Sequence, residues 1–123
     1  MCDGNYEFTP WIAECGKSVA MYRAVGAEEF NSVMRSKKFS CVPDGADVKY
    51  FGLDLSETIQ FSNMAFNRHV VAVLKIKVLG SVLDVVADYT HCDPFLFKSG
   101  TVEIENSNLD ILNKAISSIE HIY

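Results

Sequence analysis

The chain lacks any apolar run long enough to cross a membrane as a helix: its longest, Val70 to Leu74, falls far short of the roughly 20 residues a bilayer requires. Met1 to Trp11 carries Asp3 and Glu7, no basic residue and no apolar stretch, so no secretory signal is expected there. The four cysteines, Cys2, Cys15, Cys41 and Cys92, form no Cys-X-X-Cys pair and no zinc-ligand spacing with His69, His91 or His121. Reduced thiols and no metal centre are therefore the expectation. With 3 prolines and 7 glycines there is no Pro-rich or Gly-rich linker, and no internal repeat. Gly-X-X-X-X-Gly-Lys, Gly-X-Ser-X-Gly and His-Glu-X-X-His are all missing. P-loop phosphoryl transfer, serine hydrolysis on a nucleophile elbow and zinc proteolysis lose weight accordingly. Positive charge is scarce too: 11 Lys and Arg against 16 Asp and Glu leave a formal net charge of -5, which disfavours loose binding to nucleic acid or an anionic membrane.

What remains is the composition of a globular protein, 49% hydrophobic and 22% charged over 123 residues, the length of one domain. Residues 1–17 read as a polar lead-in and 18–123 as a single α+β domain. Ser18 to Val25 has strand length, with Val19, Met21, Arg23 and Val25 on one face and Ala20, Tyr22 and Ala24 on the other. Ala27 to Lys37 reads as a helix, acidic at its start through Glu28 and Glu29 and basic at its end. Pro43-Asp44-Gly45 marks a turn, and Asp47 to Gly52 a short strand. A second helix opens at Leu55 with Ser56 as candidate cap and runs to about Asn67. His69 to Val78 is a strand with Lys75 and Lys77 opposite Leu74, Ile76 and Val78. Ser81 to Ala87 fits a short helix capped by Ser81, Thr90 to Pro94 is irregular, and Thr101 to Glu105 is a strand. Asn108 to Ile122 places Leu109, Leu112, Ile116 and Ile119 on one helical face.

Four groups of residues carry possible chemistry. Thr101, Glu103 and Glu105 share one strand face, where a carboxylate can hydrogen-bond a sugar hydroxyl or stabilise developing positive charge. The bland alternative is an ordinary solvated strand face. Arg23, among apolar neighbours, requires a fixed anion, either a protein carboxylate or a ligand phosphate. Lys49-Tyr50-Phe51-Gly52 sets aromatic planes beside a glycine, a combination that suits a planar ring or simply a core strand. His91, next to Cys92 and Asp93, is a weaker candidate base.

The succession Met21-Tyr22-Arg23-Ala24-Val25, Ala27-Glu28-Glu29-Phe30, Lys49-Tyr50-Phe51-Gly52, Leu55 to Phe61 and Asp93 to Thr101 resembles the small C-terminal toxin domains of bacterial polymorphic and Rhs-type proteins. Its order of arginine strand, helix, aromatic-glycine strand, helix and glutamate strand is similar to the ADP-ribosyltransferase-like fold. The resemblance spans Ser18 to Ile119. It implies a split antiparallel β core with flanking helices around NAD, consumed as substrate. Arg23 would hold the NAD phosphates and ribose, and Tyr50, Phe51 and Gly52 would contact the nicotinamide. Glu103 and Glu105 would supply the catalytic Glu-X-Glu acids. Lys98, Ser99 and Thr101, in Phe97-Lys98-Ser99-Gly100-Thr101, a segment matched by the toxin-like domains, could bind phosphate or merely set a turn. Where one branch of the family has Ser-Thr-Ser, this chain has Lys49-Tyr50-Phe51-Gly52. The resemblance further implies an effector or toxin that acts in the cytoplasm after delivery into a target cell, with a macromolecular acceptor and a cognate immunity protein as partners.

Two other readings stay open. One is a metal-independent ribonuclease using His91, Lys98 and Arg23, against which the acidic charge argues. The other is a non-catalytic acidic binding or immunity-type module. An NAD enzyme predicts that Arg23, Tyr50 and one of the two glutamates line one cleft. A binding module predicts that they are separate or paired internally.

Overall fold

Strands that alternate apolar and polar residues build one antiparallel sheet, and all but one of the helices described cover its apolar face. The computed structural model describes residues 17–40, 48–64, 67–90 and 95–123. The lead-in up to Gly16, the Pro43-Asp44-Gly45 turn, His91 and all four cysteines lie outside the described residues. In chain order the elements are β1 (Ser18–Gly26), α1 (Ala27–Ser36), β2 (Val48–Gly52), α2 (Leu55–Ser62), β3 (Val70–Leu79), α3 (Gly80–Val86), β4 (Ala87–Thr90), β5 (Thr101–Glu105), a 3-10 turn (Asn106–Asn108), α4 (Leu109–Ala115) and β6 (Ile116–His121). The six strands lie in the order β4-β5-β2-β1-β3-β6, and the fold is α+β.

Period-two geometry sorts the side chains. Met21 and Val25 of β1, Leu74, Ile76 and Val78 of β3, and Val102 and Ile104 of β5 are buried on one face. Against them pack Val33 of α1, Leu83 and Val86 of α3, and Leu109 and Leu112 of α4. Phe39 meets Phe51 edge-on at 5.4 Å between ring centres. Asn113 holds that segment in place: its Nδ2 donates to the Phe39 carbonyl and its Oδ1 accepts from the Phe39 N–H, both at 2.8 Å.

β1 and β3 pair along the whole of β1, from Ser18↔Leu79 to Gly26↔Val70. β2 and β5 pair from Val48↔Glu105 to Gly52↔Thr101. Between β1 and β2, by contrast, the described residues register through the single pair Tyr22↔Gly52. The sheet is thus two three-stranded halves, β4-β5-β2 and β1-β3-β6, meeting at a narrow join.

α2 takes the opposite face from the other helices. Tyr22 and Gly52, as cross-strand partners, share that face, and a Cβ added to Gly52 would run into Thr58 Oγ1 of α2. Glycine at 52 is what lets α2 come this close. The cap of α2 is Asp54, not Ser56: Asp54 accepts from the Glu57 N–H at 3.0 Å, and Ser56 Oγ donates to the same carboxylate at 2.6 Å. The helix ends at Ser62 rather than near Asn67, and Asn67 instead donates to the Phe61 carbonyl at 2.8 Å.

Two further expectations need correction. Residues 108–122 are not one helix: α4 stops at Ala115, and Ile116 to His121 is a strand on β3. The helical spacing of the isoleucines competes with their β-branched preference and with the open edge of β3, and ladder formation wins. Ala87 to Thr90, divided in the sequence reading between a helix end and an irregular segment, is a strand along β5. Nor does Ser81 cap α3, whose first residue is Gly80 and whose N-cap is Leu79.

A candidate site at the join between the sheet halves

At the join lies a cavity of about 320 Å³. β1 contributes Tyr22, Arg23 and Ala24, and β2 contributes Tyr50, Phe51 and Gly52. Thr58 and Phe61 of α2 line it as well, with Asn67, His69 and Val70 before and at the start of β3, and Phe97 and Thr101 around β5. The walls are mostly aromatic and apolar, with polar groups set among them. A small-molecule site has this character and a volume of about 300–1,000 Å³. The Phe61 and Phe97 rings meet at 5.2 Å, tilted by 51°.

Arg23 finds its anion in the protein. Its Nε donates to Glu29 Oε2 at 2.7 Å and its NH2 to Glu29 Oε1 at 3.0 Å, a bidentate fork. NH1 donates to the Tyr50 carbonyl at 2.9 Å and so bridges the join. The guanidinium carbon lies 5.7 Å from the centre of the Phe51 ring, within cation–π range. Lys49, buried to 7% exposure, places Nζ 3.6 Å from Glu29 Oε2. Burial alone would raise the Glu29 pKa, but the hydrogen bond and charge of Arg23, with Lys49 behind them, outweigh it and hold the carboxyl below its ordinary range.

Glu103 stands directly across from Tyr50 on β2 and from Asp88 on β4. It is half-buried and faces the same side of the sheet as Tyr50 and Thr101, but it is not part of the cavity wall. Glu105 lies one step further along, opposite Val48, and is exposed. Ser99 is drawn elsewhere: its N–H and Oγ both donate to the Glu57 carboxylate of α2, the hydroxyl at 2.9 Å. That bond fastens the turn before β5, in which the Gly100 N–H reaches the Phe97 carbonyl at 3.0 Å. Gly100 has φ 90°, a conformation that favours glycine.

The fold therefore gathers Arg23, Tyr50, Phe51, Gly52 and Thr101 around one cavity, and leaves Glu103, Glu105 and Ser99 out of its lining, so neither glutamate meets the expectation of lining the same cleft as Arg23 and Tyr50. Gly52 serves there by admitting Thr58 and Phe97, since Phe97 Cε1 would lie 3.3 Å from an added Cβ. Sequence reasoning overlooked Tyr22, Asn67, His69, Thr58 and Phe97 as lining. Tyr22 had one legible signal, its place on the face opposite Met21 and Val25. The others depend on where α2 and the turn before β5 dock. Among the described residues no three His, Cys, Asp or Glu side chains converge as metal ligands would, and no helix is long and apolar enough to cross a membrane.

No family model matches the chain, and no curated protein or solved structure matches it.

Proposed function

We propose that the chain is an ADP-ribosyltransferase-like enzyme of the toxin or effector kind that cleaves NAD. The observation that carries this reading is the convergence of Arg23, Tyr50, Phe51 and Thr101 on one cavity with Glu103 beside Tyr50. In NAD the nicotinamide is a cationic ring on an anomeric carbon. When the C1′–N bond breaks, its electron pair goes to the ring, which leaves neutral, and positive charge develops on the ribose. An acceptor group or water then forms the new bond at C1′ and gives up a proton. The aromatic walls suit the ring, and a carboxylate brought up from beside Tyr50 would stabilise the developing charge. Arg23 is the cation for the diphosphate. Glu103, paired with Tyr50 and half-buried, is the acid in this reading, while Glu105 lies further along the strand and is exposed.

The test is nicotinamide release from NAD, with and without cell lysate. Arg23→Ala and Glu103→Ala are expected to lower the rate by about a hundredfold or more, and Glu105→Ala by only a few-fold. No release and no NAD binding at millimolar ligand would end this reading.

A second reading, the acidic binding module, draws on the Arg23–Glu29 ion pair, which gives the arginine a protein anion without any ligand. It is supported by the -5 charge and by the carboxylates of Asp88, Glu103 and Glu105 on one face of β4 and β5. A basic protein partner bound at low salt by a chain that leaves NAD intact would favour it.

A further inference from the structure

A guanidinium carries five N–H donors in a rigid plane. Arg23 uses three of them on protein acceptors: Nε and NH2 on Glu29, and NH1 on the Tyr50 carbonyl. Each terminal nitrogen keeps one N–H beyond these contacts. Because Glu29 engages the side-on edge, through Nε and NH2, the ion pair leaves the arginine the capacity for a second anion rather than saturating it. The guanidinium carbon stands over the Phe51 ring at 5.7 Å from its centre, on the Met21 and Val25 side of the sheet with Glu29, and Arg23 is among the residues that line the cavity at the join.

We infer that Glu29 is a positioning residue for anion capture: its carboxylate holds Arg23 side-on at the β1–β2 join so that the remaining N–H groups receive a phosphate oxyanion at that join. For the site and its ligand class the inference rests on the reading above. A free arginine on a long side chain would lose conformational entropy on meeting a phosphate, whereas one already fixed by Glu29, the Tyr50 carbonyl and Phe51 loses little. Lys49, 3.6 Å from the same carboxylate oxygen, favours the ionised Glu29 that the fork requires. The opposite role for Glu29 would be that of a competitor, an internal anion to be displaced before a ligand can bind. The two roles differ in sign. A positioning carboxylate strengthens oxyanion binding, and a competing one weakens it.

Inorganic pyrophosphate is the probe, titrated calorimetrically into the full chain, with the Arg23 Nε–H resonance followed by NMR. The unmodified chain is expected to bind pyrophosphate and to show a resolved Arg23 Nε–H signal that shifts on titration. Arg23→Lys, which keeps the charge but not the fork, and Glu29→Gln, which keeps the shape but not the charge, are each expected to weaken binding by about tenfold. Glu29→Asp keeps the charge but draws the carboxylate back by one methylene. It is expected to weaken binding by about threefold, and it decides the matter where the glutamine variant does not fold. Equal or tighter binding by the Glu29 variants overturns the inference, as does binding indifferent to Arg23→Lys or no binding by the unmodified chain. The expected pattern with pyrophosphate, alongside NAD that is neither bound nor cleaved, would sink the NAD reading and leave the role of Glu29 standing.

Discussion

At residue 52 the missing side chain sets the distance between α2 and the sheet. Gly52→Ala drives a methyl into Thr58 and against Phe97, and overpacking of this kind costs about 1–3 kcal/mol. The expected result is a lower urea midpoint with an unchanged slope; a midpoint equal to that of the unmodified protein would show that α2 yields freely. Lys37 offers the reverse case. It closes α1 in the left-handed region at φ 59°, its N–H on the Val33 carbonyl, a conformation that costs a side-chain-bearing residue about 1 kcal/mol. Lys37→Gly is therefore expected to stabilise the protein by about 0.5–1 kcal/mol in the same titration. Glu29 makes stability depend on acid. Its carboxyl titrates lower in the folded state than its ordinary value of 4.5. The stability it contributes is then fully present above that value and is lost as pH falls through the depressed one. Acid unfolding of Glu29→Gln is expected to lack this component, so the difference between the two proteins shrinks below pH 4.5; a constant difference would locate the effect elsewhere.

Strands with clean alternation were legible. Ser18 to Val25 and Thr101 to Glu105 are found nearly as read, as β1 and β5, because Met21, Val25, Val102 and Ile104 point one way; in β5 the glutamates point the other, whereas in β1 Arg23 shares the buried face. The division of Lys75 and Lys77 from Leu74, Ile76 and Val78 holds for the same reason. The C-terminal stretch was not legible, since Leu109, Leu112, Ile116 and Ile119 fit a helical stripe that only tertiary pairing interrupts. Within β6, Ile119 is buried opposite Ile76, and Ile119→Ala is expected to cost about 2–3 kcal/mol. The matching Ile122→Ala, beyond the strand, should cost much less; equal losses would argue against β6 as the anchor. The candidate site follows the same rule. Arg23, Tyr50, Phe51 and Thr101 stood out by type and by strand position, whereas Phe97, Asn67 and His69 join them only through the docking of separate segments. The partner of Arg23 was foreseen as an anion but not as Glu29, because nothing in the spacing of a strand and the following helix fixes which of two adjacent acids turns inward.

Over the whole molecule, stability is unevenly distributed. The β1–β3 ladder runs the length of β1, while β1 and β2 register at one pair among the described residues, reinforced by the Arg23 contact to Tyr50. Amide hydrogen exchange is expected to be slowest for the buried middle of β1 and β3, around Met21 and Ile76, and faster for β2 residues facing the join. Uniform protection across all six strands would refute a soft join. The same wiring has a kinetic side. β1 forms its long ladder not with β2, which follows it more closely in the chain, but with β3, some 50 residues further on. The β1–β3 ladder must therefore close a long loop before its pairing is rewarded, which places folding among the slower, non-local topologies. Substitutions at Met21 or Ile76 should then retard folding, whereas those at the join should mainly hasten unfolding, so that the half-sheets separate faster without assembling more slowly.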